Sequence, residues 1–348
     1  MSYYYEYELG KAAKILCEDL FKLKQGEIFI ITADTECEKR VVDATATAAF
    51  ACDAKPMVIY TASPLGIGKD ADTLLPLESL TAALLKADAW VEFNNKELFC
   101  TTAYEIAMKD NKKLRYLSLS GMNVDMMVRD IGRIDYFNLE QFLKLITQKT
   151  LSTKHMRITT PGGTDIEFDN EPSHNILMYP GYADTPGSYL MAGTIIWSPN
   201  FDSVNGTIVF DGSIVPPIVG ILKEPVRLTI KKGEIVRING GKEAIDYNNW
   251  LKSFDHPQIL KLAHVSYGFN PGARLTGNLL EDAKVWGATE WGFGNVRDTF
   301  VSGGIYGPSH SDGICLNSSV WLDGIQIMDK GQIIHPELKK YAEKLGKV

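Results

Sequence analysis

The segment of residues 26–62, GEIFIITADTECEKRVVDATATAAFACDAKPMVIYTA, constrains the fold more than any other part of the chain. Its apolar runs IFII and PMVIY are typical of buried strands, and the alanine-rich stretch between them is typical of a helix. Asp34 or Thr35 stands where a residue that caps this helix is expected. Two strands flanking one helix predict a βαβ unit, in which the strands are parallel.

The same alternation continues to about residue 150. DAWVEF (88–93) and LRYLSLS (114–120) are typical strands, a helix is predicted between them near Thr102 to Lys109, and an amphipathic helix follows at NLEQFLKLITQ. Residues 1–150 are therefore predicted to form an α/β, Rossmann-like domain with a mostly parallel sheet.

Residues 151–348 show a different pattern, in which apolar strand pairs are separated by turns that contain glycine. The predicted hairpins are MRITTPGGTDIEF, VRLTIKKGEIVRING and VWLDGIQIMDKGQII. Helices are predicted at GGKEAIDYNNWLKSF and from Leu279 onward. We therefore expect a second, strand-rich α+β domain over residues 151–348.

Composition narrows the class of partner. The formal net charge of −7 argues against a nucleic-acid surface, which needs clustered Lys and Arg, and no apolar run of roughly 18 residues predicts a membrane span.

The five cysteines are scattered and form no CxxC pair, which fits a reducing cytoplasm. PLGIGKD (64–70) lacks the spacing of a phosphate loop and is interpreted as a glycine turn. A small-molecule substrate is the expected partner.

Three side chains could form a metal site. His310 and Asp312, in SHSDG, share one face of an extended segment because side chains alternate along a strand. His264 ends a short apolar strand before an Asn-Pro turn. Two imidazoles and one carboxylate are the donor set of iron(II) sites with open positions. SHSDG is also typical of a polar surface turn, which spacing alone favours without excluding the metal site.

Several longer motifs carry a family resemblance. GFNPGARLTGNLLEDAKVWGATEWGFGN, VNGTIVFDGS, EPVRLTIKKGEIVRI and SHSDGICLNSSVWLDG together resemble the thermophilic M29 metallo-aminopeptidase superfamily over most of residues 155–335. Within it the chain is more similar to the 2,5-dihydroxypyridine 5,6-dioxygenase branch. Thr194, His264 and Glu290 stand where the aminopeptidases carry two Glu and a His, so the carboxylates that bridge two ions are missing.

The resemblance implies a mononuclear non-haem iron(II) dioxygenase that opens a small hydroxylated aromatic or N-heterocyclic ring, with O2 as co-substrate. It implies His264, His310 and Asp312 as ligands of Fe(II), with Zn, Mn or Co as alternative metals. It also implies a homo-oligomer. The alternatives are a metal-dependent hydrolase of a peptide or cyclic amide, and a binding or scaffold protein that retains only the fold.

Further site residues are candidates by their neighbourhood. GYADTPGSYLMAGTIIWSP (181–199) holds the GxxDxPG pattern of the dioxygenase branch but none of its acid-base histidines. Proton transfer is therefore assigned to Glu290, His174 or Tyr189, with Tyr179 as a further possibility. Candidate substrate contacts are Arg274, as a counter-charge, and Tyr267, Asn270, Phe293, Tyr306 and Thr194.

Overall fold

The computed structural model of the protein describes residues 5–218 and 220–347. Within these ranges the helices are α1 (Glu6–Lys14), α2 (Lys39–Ala51), α3 (Leu77–Leu84), α4 (Thr102–Asp110), α5 (Val124–Asp130), α6 (Tyr136–Leu151), α7 (Lys242–Ser253), α8 (Leu279–Asp282) and α9 (Pro336–Lys344). None of the helices in this part of the chain is long and apolar enough to cross a bilayer.

The strands follow in chain order. They are β1 (Ile28–Asp34), β2 (Lys55–Thr61), β3 (Ala89–Glu92), β4 (Arg115–Ser118), β5 (His155–Thr159), β6 (Asp165–Asp169), β7 (Ile176–Tyr179), β8 (Gly187–Leu190), β9 (Thr194–Trp197), β10 (Asn205–Phe210), β11 (Ile214–Val215), β12 (Val226–Lys231), β13 (Glu234–Asn239), β14 (Leu262–Gly268), β15 (Thr289–Val296), β16 (Ile305–Cys315), β17 (Ser319–Leu322), β18 (Ile325–Asp329) and β19 (Gln332–Ile333). The predicted strands and hairpins all lie among them.

The chain divides into two compact units. The first holds the residues up to Ile134 together with Gly181–Ala192, and the second holds Asp135–Pro180 and the residues from Gly193 onward. These limits differ from the predicted division at residue 150. Helix α6 belongs to the second unit, where the Phe142 ring packs 4.8 Å from the ring of Phe269. Strand β8 belongs to the first unit because it pairs with β4.

The first unit is built on a parallel sheet in the order β2-β1-β3-β4-β8. The βαβ prediction is confirmed, but the predicted cap is wrong: α2 begins at Lys39, after Glu38. The reason is local, because Oδ1 of Asp34 accepts a hydrogen bond from the backbone N–H of Glu36, 2.9 Å away. That bond forms a turn that delays the helix.

The second unit contains two antiparallel sheets. One has the order β13-β12-β10-β6-β5-β17-β18-β19, and the other has the order β11-β16-β15-β14-β9-β7. Its strand-rich α+β character is as predicted, because glycine-containing turns join short strands of alternating burial, as in β5, β6 and β12.

Buried aromatic rings hold the two sheets together. The Trp291 ring of β15 meets the Phe168 ring of β6 edge to face, with 5.9 Å between centroids. Gly313 of β16 lies against Phe210 of β10, where a Cβ atom would come within 2.3 Å of the ring. Over residues 289–294 of β15 and 310–315 of β16, the odd-numbered residues therefore face the other sheet and the even-numbered residues face away from it.

Glu92 is a fully buried carboxyl group at the end of β3. Its oxygens accept hydrogen bonds from the Tyr116 hydroxyl, the Leu98 backbone N–H and the Ser120 hydroxyl. Burial raises the pKa of Glu92 to about 8, although these hydrogen bonds favour the charged form. Between pH 4.5 and about 8 the folded protein therefore keeps this proton, whereas the unfolded chain has released it.

We predict that the free energy of unfolding falls as the pH rises from 5 to 8, by roughly 3 kcal/mol from this group alone. Glu92→Gln removes the titration and should flatten the dependence. Urea unfolding at several pH values measures it. Glu105→Gln, at an exposed glutamate of the same unit, should keep the wild-type slope; equal slopes in all three proteins would contradict the prediction.

Candidate metal centre

Three adjacent strands of the six-stranded sheet carry the candidate site. In the pairing register His264 of β14 lies opposite Gly292 of β15, which in turn lies opposite Asp312 of β16. Directly opposed residues of antiparallel strands project to the same face. His310 lies two residues before Asp312 and shares that face. The sheet therefore brings together side chains that are more than forty residues apart in sequence.

Gly292 makes the convergence sterically possible. Strands β14 and β16 are separated by β15 and are therefore roughly 10 Å apart, so their side chains meet only by leaning across the middle strand. A Cβ atom at position 292 would lie 2.2 Å from Cε1 and 2.5 Å from Nδ1 of His264. Any side chain at this position would displace the imidazole.

The three side chains are close enough to share one ion. One ligand atom from each of His264, His310 and Asp312 lies within 4.8 Å of the other two. Oδ1 of Asp312 is 3.0 Å from Nε2 of His310 and 3.3 Å from Nε2 of His264. The two imidazole rings are stacked, with 5.1 Å between centroids and 16° between planes.

The charges in the cluster support one another. Burial alone would raise the pKa of Asp312, but the two neighbouring imidazoles hold it far below its usual range, so the carboxyl group is ionised. Burial lowers the pKa of His310, and the Asp312 carboxylate outweighs this effect and raises it. The cluster thus presents an ionised carboxylate beside two imidazole rings.

The donor set fits a single divalent transition metal. His264 is only 5% exposed, and within the described residues neither ring nitrogen makes a well-formed hydrogen bond: Nδ1 has no partner, and Nε2 has only the Asp312 carboxylate at 3.3 Å. Burying such nitrogens without a partner is costly, and an ion bound at Nε2 would satisfy one of them. Two imidazoles and one carboxylate are the ligands of facial-triad metal sites.

Glu290 lies beside the cluster on the middle strand. Its Oε2 is 3.9 Å from Nε2 of His264 and accepts a hydrogen bond of 2.6 Å from the hydroxyl of Ser266, directly across the ladder. Burial, followed by the negative charge of Asp312, raises the pKa of the Glu290 carboxyl group. The group is placed to exchange a proton with a molecule bound at the cluster.

Strand alternation separates the other candidates of this sheet. Thr194 pairs with Gly268 and so shares the face of His264. Tyr267 lies three residues from His264 and projects to the opposite face, where its ring packs 5.0 Å from that of Trp197. Phe293, next to Gly292, also projects to the opposite face and is fully buried.

The contacts described for the loop and edge candidates are with residues outside the cluster. The Asn270 side chain accepts a hydrogen bond from the backbone N–H of Gly272 and holds its own turn. Arg274 is exposed, with its backbone N–H bonded to the carboxylate of Glu281. Tyr306 is 77% exposed. Substrate contact by these residues stays a prediction.

His174 and Tyr189 occupy other surroundings. The Nδ1 atom of His174 is 3.0 Å from the carbonyl oxygen of Ser198, and the ring contacts Phe201 in a cleft of about 760 Å³ in the second unit. Tyr189 belongs to β8 of the first unit, where its hydroxyl is 2.7 Å from that of Thr185. Their acid-base role stays a prediction.

Three neighbours of the candidate ligands were not anticipated from sequence. They are Gly292, Ser266 and Phe300, whose ring centroid is 5.7 Å from that of His264. A usable signal existed for the glycine: WGFGN places two glycines two residues apart within a strand pattern, where glycine indicates a close approach of other groups. Ser266 and Phe300 depend on register and loop path, which the sequence does not reveal.

The sequence of this chain matches a known protein family. A family model described as NicX, 2,5-dihydroxypyridine 5,6-dioxygenase, matches residues 16–335. A 2,5-dihydroxypyridine 5,6-dioxygenase of Pseudomonas putida KT2440 is 32% identical over 206 residues, which cover 56% of this chain and 59% of that protein. The match thus spans less than two thirds of that relative. The resemblance to the dioxygenase branch is confirmed.

Two solved structures share the fold. The 2,5-dihydroxypyridine dioxygenase from Pseudomonas putida KT2440 has a TM-score of 0.78 at 20% identity, and the match covers 96% of this chain and 99% of that one. Wild-type AmpT from Thermus thermophilus has a TM-score of 0.67 at 15% identity, with 95% and 100% covered. The two-unit architecture is therefore a known one.

We predict that Gly292→Ala weakens binding of divalent metal at least about 10-fold, because the new methyl group displaces the His264 imidazole. Competition with a chromogenic chelator measures the affinity. Gly10→Ala, where a Cβ atom meets nothing within 4 Å, is the matched control and should bind like wild type. Circular dichroism reports whether the variant folds, and a folded Gly292→Ala protein of wild-type affinity would refute the steric role.

Proposed function

Because this chain belongs to the NicX family of 2,5-dihydroxypyridine 5,6-dioxygenases, we propose that it is a mononuclear non-haem iron(II) dioxygenase. Its substrate would be a small hydroxylated aromatic or N-heterocyclic ring of the dihydroxypyridine kind, opened with O2. The observation that carries the proposal is the convergence of two imidazoles and one ionised carboxylate on one face of the sheet.

His264, His310 and Asp312 would hold the metal. The single carboxylate offsets one charge of a divalent ion, and neutral imidazole suits iron, whereas Zn, Mn and Co are the competing ions. When bound, iron(II) supplies open coordination positions and the redox chemistry through which an electron-rich ring and O2 can react. All three side chains project from one face of the sheet, so a bound ion would be held from that face only.

Glu290 would accept a proton from the substrate. A hydroxylated ring that binds at the cluster must lose a hydroxyl proton to become electron-rich, and the Glu290 carboxylate is the acceptor beside His264. The hydrogen bond from Ser266 to Oε2 fixes the orientation of this carboxylate. Thr194, on the same face, is proposed to contact the substrate. Catalysis is thus assigned to the second unit.

The proposal also covers the oligomeric state and the cellular location of the protein. A homo-oligomer is proposed because the family resemblance implies one, and size-exclusion chromatography with light scattering tests it. A cytoplasmic location is proposed because the five cysteines are all free thiols, which suits a reducing compartment.

We predict that anaerobic loading with one equivalent of Fe(II) produces O2 consumption with 2,5-dihydroxypyridine, and that loading with Zn does not. His310→Ala and Asp312→Ala should abolish both metal binding and turnover. His155→Ala is the matched control, since it removes an exposed histidine that pairs with Asp169 at 2.8 Å in the same unit. Turnover of a cyclic amide without O2 would instead identify a hydrolase.

We predict that Glu290→Gln lowers kcat about 10²–10⁴-fold while one metal still binds per chain, because a general base is lost and the ligands remain. Ser266→Ala should lower kcat less, since the carboxylate loses its orientation but stays in place. Steady-state kinetics and metal analysis separate the two effects. Loss of the metal in Glu290→Gln would mean that the residue is a ligand rather than a base.

A further inference from the structure

The pairing of β15 with β16 is interrupted beside one of the proposed ligands. Gly294 pairs with His310, but the next pair is Val296 with Ile305, so two steps along β15 correspond to five along β16. Asn295 lies between these paired positions. Such irregularities redirect individual groups and are common near active sites.

The backbone of Asn295 contacts the proposed ligand directly. Its carbonyl oxygen lies 2.9 Å from Nδ1 of His310 and accepts the hydrogen bond from that nitrogen. Donation from Nδ1 leaves Nε2, which lies 3.0 Å from Oδ1 of Asp312, as the nitrogen that would offer a lone pair once its proton is released on metal binding. The carbonyl therefore selects the tautomer that can bind a metal through Nε2.

The side chain of Asn295 fixes that carbonyl in place. Its Oδ1 accepts a hydrogen bond from the backbone N–H of Gly307, 3.3 Å away, which bridges the interruption. A Cβ atom at position 307 would come within 2.8 Å of the backbone nitrogen of Asn295, so only glycine permits this approach. This hydrogen bond therefore joins β15 and β16 at the point where their regular pairing is interrupted.

We infer that Asn295 is a positioning residue, whose side chain pins the irregular segment so that its carbonyl orients His310 for metal binding. The inference rests on the proposed metal-binding role of His310 and adds a residue outside the ligand set. Partners that orient ligand histidines in this way typically change metal affinity 10–100-fold when they are lost.

The test compares chelator-competition affinities for Fe(II) and Co(II) in three variants. Asn295→Ala should bind about 10–100-fold more weakly than wild type and shift the visible spectrum of the Co(II) protein. Asn295→Asp keeps an acceptor for the Gly307 N–H and should stay within about 3-fold of wild type, as a conservative replacement of a hydrogen-bonding group.

Asn205→Ala is the matched control. The Asn205 side chain, on β10 of the other sheet, likewise accepts a hydrogen bond from a backbone N–H, that of Lys232 in the turn after β12, at 3.0 Å. It should lower the melting temperature of the metal-free protein without changing affinity or spectrum. Asn295→Ala with wild-type affinity, or Asn295→Asp as weak as Asn295→Ala, would overturn the inference. A wild-type protein that binds metal but consumes no O2 would defeat the proposed function alone.

Discussion

The candidate site depends on Gly292, a residue without a side chain on the middle one of the three strands that carry the site. Two ligands on strands that are not neighbours can share an ion only if the strand between them contributes no side chain at the crossing point. Gly292 meets that requirement, and the distances from its missing Cβ atom to the His264 ring show how little space remains. The register of β14, β15 and β16 then determines which residues meet.

The opposite face of the same strands explains why this geometry is held firmly. Trp291 and Gly313 pack against rings of the neighbouring sheet, so the strands cannot tilt without opening a densely packed core. The other face of these strands carries the polar residues Glu290, His310 and Asp312. The carboxylates and imidazoles there shift the pKa values of one another. The ionised Asp312 and the buried ring nitrogens of His264 are the features of this face that support the proposed metal-binding role.

Much of this could be predicted from sequence, and the failures have physical causes. Apolar runs and glycine turns located the strands, and the period of two placed His310 with Asp312. The start of α2 was missed because the Asp34 side chain bonds locally rather than to the helix. Tyr267 was grouped with His264 by proximity in sequence, although an odd separation along a strand places two side chains on opposite faces. Pairing register, which brings His264 to Asp312, arises only from the folded sheet.

The three candidate ligands lie on a hydrogen-bonded ladder, with His264 and Asp312 on one rung and His310 on the next rung of the same face, and this placement has an evolutionary consequence. The backbone framework specifies where a side chain projects but not which side chain it is, so a single codon change can exchange one donor for another while the remaining two keep their positions. On such a scaffold, a change of metal or of reaction does not require a change of fold. The rigid framework thereby makes the chemistry that it supports readily adaptable.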